Sequence, residues 1–377
     1  MNTQTPILII GAGPAGLAIA GRLRKAGLDF QIIEKTDKIA SSWHSHYDRL
    51  CLHTVKQYSH LPHMEFPEDY PLYVPRLDLV KYYKNYADAF DIRPLFNEKV
   101  ISARETDGNW KVLCESGKSF DTAHLIVASG VNHIPNRPQW KGEDRYKGKI
   151  SHSITYKNAD PFKDQKVLVV GMGNTGAEIA LDLAENGVDT TISVRSPITL
   201  VPRDVFGNPV QVTAKKLEKL PFGLGDWLGT QVRKLVIGDL SGYGVPLSNE
   251  HPAVRLRETG KTPVIDLGTV DYIKSGKIKV VGGFSNFTES GIELENGTKA
   301  DFDAIILATG YKPRLQNFIE QVEVELDQFG VPKSPVAREL KGLYFIGFDN
   351  YKLGGILGTI YKDSKTVADA IVAQTIV

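Results

Sequence analysis

An α/β fold of two Rossmann-like units, one inserted into the other, is what this 377-residue sequence predicts, and three observations carry it. A short apolar run, Ile7 to Ile10, leads straight into GAGPAG (11–16) and a helical stretch. The same grammar returns 160 positions later as Val167 to Val170, GMGNTG (171–176) and a second helical stretch. Two further segments, LIVASG ending at Gly130 and IILATG ending at Gly310, stop on a small residue and a glycine, and mark natural points for the chain to leave one unit and re-enter it.

Taken in order, Ile7 to Ile10 is a buried strand, Ala15 to Ala26 a helix closed by Gly27, and Phe30 to Ile33 the next strand. Residues 41–95 are rich in His, Tyr and Pro and show no clean period, so no element is assigned there. The proline-bearing stretch after Gly130 reads as a linker. The second unit repeats strand, helix through Ala184, Gly187 and a strand at Thr191 to Val194. Residues 203–262 contain short amphipathic helices, Ala214 to Leu220 and Trp227 to Ile237, whose apolar stripes read as core or interface rather than as a membrane anchor. The expected domains are therefore 1–155, 156–304 with a helical insertion around 203–262, and a return segment 305–377.

Composition removes several function classes. Forty-five basic against 44 acidic residues, without a long single-sign run, gives no electrostatic case for a nucleic-acid or anionic-membrane partner. Only Cys51 and Cys114 are present, far apart, which argues against a disulfide scaffold, a CxxC redox pair and a thiolate metal site. No run of about 18 apolar residues occurs, and the amino terminus reads as strand, turn and helix rather than as a signal peptide. A reducing, cytoplasmic setting without a membrane or a metal is the expectation.

The glycine loops carry the chemistry. Gly11 permits the tight turn, Gly13 lets the backbone approach a pyrophosphate, and Gly16 lets helix and strand pack closely, with Gly171, Gly173 and Gly176 as their counterparts. In each case the helix amino terminus faces the negative charge. Glu34 lies 23 positions after Gly11, where a carboxylate accepts ribose hydroxyls, and Arg195 lies 24 positions after Gly171, at the equivalent strand end. A carboxylate repels a ribose 2′-phosphate, whereas Arg195, helped by Ser196 and Arg203, binds one. The first site is thus expected to take FAD and the second NADPH, with the NADP domain inserted into the FAD domain.

Between the glycine loops, Tyr146-Lys147-Gly148 through His152 to Tyr156 resembles the FxGxxxHxxx(Y/F) signature of class B flavin-dependent monooxygenases, with Tyr146 in place of Phe. His152 is given no proton-transfer role. Tyr156 stands where Baeyer-Villiger enzymes carry Trp, which favours the flavin-containing monooxygenase branch. The strings YDRLCLH, LPHMEFPEDYP, GMGNTGAEIALDL, SVRSP, GKTPVIDLG and ILATGYKP, spread over almost the whole chain, resemble the YUCCA-type flavin monooxygenases that act on indole-3-pyruvate.

By that resemblance, Trp43 is the tryptophan near the flavin, Arg49 belongs to the cofactor-contacting YDRL string, and Val100 makes the backbone contact to the adenine. Gly173, Asn174, Thr175, Arg195 and Ser196 match NADP contacts, Ala308-Thr309-Gly310 matches the ATG element, and Gly347-Phe348 with the helix after Gly358 matches the segment that meets the flavin ring. The family's NTSK string, which carries an asparagine beside the oxygen-reacting face, is replaced by His53-Thr54-Val55-Lys56, so His53 or Thr54 would supply the catalytic donor. The implied activity is oxygenation of a small molecule by O₂ and NADPH through a C4a-hydroperoxyflavin, on a 2-oxo acid or a soft nitrogen or sulfur, by a monomer or dimer. An NADPH-dependent flavin reductase or oxidase, and a non-catalytic FAD/NADP sensor, remain as alternatives.

Overall fold

The computed structural model describes residues 2–132, 134–217, 224–248, 250, 252–259, 261–349 and 355–375. The chain forms two compact units, one comprising Met1–Ser45, Thr54–Ile134 and Tyr311–Val377, the other His46–His53 and Pro135–Gly310.

The first unit opens with β1 (Ile7–Ile10), α1 (Pro14–Lys25) and β2 (Gln31–Ile33). Next come α2 (Arg76–Ala89) and β3 (His124–Val127). The second unit then supplies β4 (Lys149–His152), β5 (Lys166–Val170), α3 (Asn174–Glu185) and β6 (Asp189–Ser193). It continues through α4 (Leu224–Ile237), β7 (Ile278–Val281) and β8 (Ala304–Leu307). The chain returns to the first unit for β9 (Leu343–Phe345) and α5 (Ile356–Thr375).

Each unit is built on a parallel sheet, in the order β9-β3-β1-β2 in the first and β7-β6-β5-β8-β4 in the second. Registers run Ile7 to His124 and Leu8 to Gln31 in one, Lys166 to Asp189 and Val167 to Ala304 in the other. β1 and β8 are buried at all four positions, as expected of central parallel strands covered on both faces. Both units also carry a small, mainly antiparallel sheet: residues 2–4, 119–122, 109–114 and 100–106 in the first, and 284–287, 291–294 and 299–301 in the second. Among the described residues no helix is long and apolar enough to cross a membrane.

The crossing points differ from the expected 155 and 304. The second unit begins at Pro135 and ends at Gly310, because β4 is hydrogen-bonded along β8, Ala304 opposite Lys149 and Leu307 opposite His152, and so belongs to that sheet. The Tyr-Gly-His signature is architectural here. Tyr146 Oη donates to Phe302 O at 2.8 Å, a Cβ on Gly148 would meet that same phenol at 2.3 Å, and His152 Nδ1 accepts the Ile154 N–H.

Within 203–262 the helices are shifted from expectation, Val210–Leu217 for the first and Leu224–Ile237 for the second. Glu218 to Leu220 of the predicted first helix lie outside the described residues. The aperiodic 41–95 region contains α2, whose buried face is Leu79, Tyr82, Tyr83, Tyr86 and Ala87. The spacing is helical, but tyrosines occupy it. Their hydroxyls reach the preceding loop, Tyr82 Oη donating to Met64 O and Tyr86 Oη to Pro62 O.

Candidate functional site

In the first unit, Gly11 sits at φ +106°, a conformation that favours glycine, and a Cβ there would meet Ala128 O at 2.7 Å. A Cβ on Gly16 would lie 1.9 Å from Gly11 O, while one on Gly13, the residue capping α1, would meet nothing within 4 Å. Two of these glycines are thus demanded by the protein itself and the third is not. The space over Gly13, at a helix start with no acidic residue in its first turn, is free for an anion, as a pyrophosphate requires. The buried Ser129 hydroxyl just beyond β3 has no hydrogen-bond partner among the described residues. Polar groups orphaned in this way usually await a ligand or water, so the cradle fits the cofactor that the glycine loop implies.

Glu34, at the end of β2, is 6% exposed. Its Oε2 accepts the Ala12 N–H at 2.9 Å, and its Oε1 accepts the Thr36 N–H at 3.0 Å and the Thr36 hydroxyl at 2.9 Å. Three of about four acceptor positions are filled, which leaves room for one further donor rather than for both ribose hydroxyls. Val100 stands two residues beyond Glu98, whose N–H donates to Glu34 O at 2.9 Å. Trp43 packs on Tyr83 of α2 with ring centroids 6.3 Å apart, and the fully buried Tyr83 hydroxyl is a second orphan. Phe348 is buried edge-on against Phe345 of β9, and α5 begins at Ile356, two residues before Gly358.

The second unit repeats the backbone almost unchanged. Gly171 is at φ +100° with a Cβ position 2.9 Å from Ala308 O, Gly176 again clashes with Gly171 O at 1.9 Å, and Gly173 again faces open space. Ala308 therefore abuts this loop as Ala128 abuts the first, while Thr309 and Gly310 pack back on Asn136, the Thr309 hydroxyl donating to Asn136 O at 2.5 Å and the Asn136 N–H to Gly310 O at 2.9 Å. The Asn174 amide is occupied by protein: it donates to Pro263 O and accepts the Ile265 N–H at 2.7 Å. Thr175 keeps its hydroxyl unengaged by any described residue.

Arg195 is exposed at the end of β6. Beside it Lys261 Nζ donates to Ser196 Oγ at 3.4 Å, and Arg255 donates to Pro197 O at 2.5 Å and pairs with Glu250 at 3.1 Å. Burial first, then the charges of Arg255 and Arg195, push the Lys261 pKa below its ordinary value. Three cations gathered beside Ser196, with Glu250 on one of them, have the electrostatic form of a phosphate receptor. Lys261 and Arg255 were not foreseen from sequence; the GKTP string that holds Lys261 is the one local cue. Arg203, expected beside Arg195, pairs with Asp204 at 2.9 Å.

Arg49, His53 and Thr54 are held by protein partners rather than left facing a ligand. Residues 46–53 belong to the second unit and lie along α3, whose Glu178, Asp182 and Glu185 share one face at i, i+4 and i+7. Tyr47 Oη donates to Glu178 Oε2 at 2.6 Å and His53 Nε2 lies 3.1 Å from the same oxygen. Arg49 reaches Glu185 at 2.6 Å and Asp182 at 3.5 Å, and Tyr156 Oη donates to Asp182 Oδ2 at 2.5 Å. Burial, then the neighbouring carboxylate, holds the Tyr47 and Tyr156 phenols far above their usual range, so both stay donors.

Thr54 lies in the first unit, 2.7 Å from Ser59 Oγ, which donates to Val55 O. That leaves Thr54 as the donor of the pair and spends its proton inside the loop. Cys51 and Cys114 are both free thiols, with burial raising each pKa, Cys114 to about 11.

The family described as pyridine nucleotide-disulphide oxidoreductase matches residues 8–205. A flavin-containing monooxygenase from Stenotrophomonas maltophilia has the same fold, with a TM-score of 0.77 at 17% identity over 99% of both chains. Probable indole-3-pyruvate monooxygenase YUCCA9 of Arabidopsis thaliana is 38% identical over 92% of this chain and 85% of its own. Indole-3-pyruvate monooxygenase YUCCA1 of Oryza sativa subsp. japonica is 36% identical over 97% and 91%. With likeness of that extent over nearly the whole chain, the chain belongs to the YUCCA-type family of flavin-dependent monooxygenases.

Proposed function

We propose that this monooxygenase takes a 2-oxo acid of the indole-3-pyruvate class, with the first unit holding FAD and the second NADPH. The observation that carries the assignment of the two sites is the opposite ending of two matched loops: a buried, hydrogen-bonded Glu34 in one, an exposed Arg195 within a cation cluster in the other. Glu34 orients the Ala12 turn and disfavours a phosphate on the ribose, and Arg195, Ser196 and Lys261 receive the 2′-phosphate. Gly13 and Gly173 admit the pyrophosphates, and the helix starts behind them stabilise the charge. When bound, FAD accepts reducing equivalents from NADPH and activates O₂.

Neither His53 nor Thr54 is the catalytic donor in this reading. Because Glu178 is an acceptor, His53 donates to it through Nε2 and so fixes the arm. We also read the protein as cytoplasmic, a monomer or dimer without a nucleic-acid partner, on its balanced charge and two unpaired cysteines.

The overall reaction balances as one 2-oxo acid, one NADPH, one proton and one O₂ giving the shortened carboxylic acid, CO₂, water and NADP⁺. The test is to measure NADPH and O₂ consumed and indole-3-acetate formed from indole-3-pyruvate by the purified flavoprotein. Equal amounts of all three are expected. NADPH oxidation that releases hydrogen peroxide and leaves the oxo acid intact would move the reading to an oxidase, and oxygenation of a thioether alone would move it to a heteroatom substrate.

A further inference from the structure

We infer that the second unit carries a separate binding site for a small organic carboxylate with an apolar body, in a groove beside the last turns of α4. The groove encloses about 520 Å³, within the size range of small-molecule sites. Its apolar wall is formed by Ile198, Leu200, Ile237, Val245 and Leu247, and Arg233 of α4 lines it with them. Neither the glycine loop nor Arg195 is among its lining residues, although it adjoins the cation cluster through Ser248, whose hydroxyl accepts from Arg255 at 3.2 Å.

Arg233 is the residue that needs an explanation. It is half-buried and makes no hydrogen bond or ion pair with any described residue. Burial alone acts on its guanidinium and lowers its pKa from the ordinary value, with no carboxylate offsetting it. Asp239, which also lines the groove, already accepts the Ser241 N–H and hydroxyl, each at 2.9 Å. Holding a guanidinium partly out of water without a partner costs free energy. A ligand carboxylate restores the lost hydrogen bonds through the two-pronged geometry that arginine offers, while the apolar wall covers the rest of the molecule. Lys234, Ser241 and Ser248 also line the groove, so inorganic phosphate is titrated beside the probes below, and phosphate binding in preference to the carboxylate would overturn the assignment of ligand class.

The experiment is calorimetric titration of the flavin-loaded protein, in saturating NADP⁺, with 4-phenylbutyrate and with its neutral analogue 4-phenylbutan-1-ol. Wild type should bind the acid about tenfold more tightly than the alcohol, the worth of one charge-assisted pair. Arg233→Gln should abolish that preference and Arg233→Lys should keep part of it. Unchanged affinity for the alcohol in both variants reports an intact groove, whatever their stability. The inference is overturned if acid and alcohol bind wild type alike, if Arg233→Gln keeps the preference, if NADP⁺ displaces the acid, or if neither probe binds at millimolar concentration. None of these outcomes depends on the substrate proposed for the monooxygenase reaction.

Discussion

The two glycine loops have nearly the same backbone and opposite surroundings. Gly16 and Gly176 each leave 1.9 Å between a would-be Cβ and the carbonyl of the first loop glycine, and Gly13 and Gly173 each cap their helix near φ −85° with open space above. The differences begin one strand later, where Glu34 is buried and hydrogen-bonded three times and Arg195 stands exposed. The seat for a pyrophosphate is therefore a property of backbone and glycine, which duplication copies unchanged. The choice of nucleotide rests on a side chain that the loop does not constrain.

The comparison breaks most severely if the shared backbone is altered. Gly16→Ala and Gly176→Ala should each cost about 3 kcal/mol, at the upper end of ordinary overpacking, because the obstacle is a carbonyl that cannot rotate away. Gly13→Ala and Gly173→Ala should leave apo stability within about 0.5 kcal/mol while impairing cofactor loading. Chemical denaturation of the four apoproteins checks this, and equal losses at all four positions would show that the loops are not divided into structural and ligand-facing glycines.

A smaller effect separates the strand ends. Glu34→Ala leaves the Ala12 N–H unpaired in a buried turn and should cost about 1–3 kcal/mol as well as yield flavin-poor protein. Arg195→Ala should leave stability unchanged and raise the KM for NADPH about tenfold or more, with that for NADH unmoved. Thermal melting with NADPH and NADH kinetics on both variants decides it; equal changes in the two KM values would remove the 2′-phosphate role from Arg195.

The smallest effect is a proton. With its pKa depressed by burial and by two cationic neighbours, free Lys261 is partly deprotonated at alkaline pH, and an arriving phosphate raises that pKa again. Binding of 2′,5′-ADP should therefore take up a fraction of a proton at alkaline pH, below the ordinary lysine value near 10.4. Calorimetry in buffers of different ionisation enthalpy measures it. No uptake in wild type, or the same uptake in Lys261→Met, would assign the phosphate to other residues.

Most of the fold was legible because the signals are local: a strand, a glycine loop and a helix within about 30 residues, written twice. What was missed depends on partners far along the chain. Arg49 and His53 read as cofactor and catalytic residues because their string belongs to a flavoprotein family, yet their partners lie on α3, more than 120 positions away. Asn174 matches an NADP contact by resemblance, and its amide is engaged by Pro263 and Ile265, 89 and 91 positions away. α2 escaped notice because an apolar stripe built from tyrosines resembles polar loop until the carbonyls of Pro62 and Met64 are seen to take up the hydroxyls.

The arm at 46–53 also limits how the protein can be taken apart. Its eight residues are flanked on both sides by first-unit chain, yet they fill the acidic face of α3. An uninterrupted fragment from Pro135 to Gly310 would bury Glu178 without Tyr47 or His53 and expose the apolar ground that Tyr47 and Leu50 cover. In synthesis the arm leaves the ribosome more than 120 residues before the helix it must meet. The second domain is thus not a module that could be shuffled by a single insertion event or transplanted as one contiguous piece. A working chimera has to carry the arm along with it.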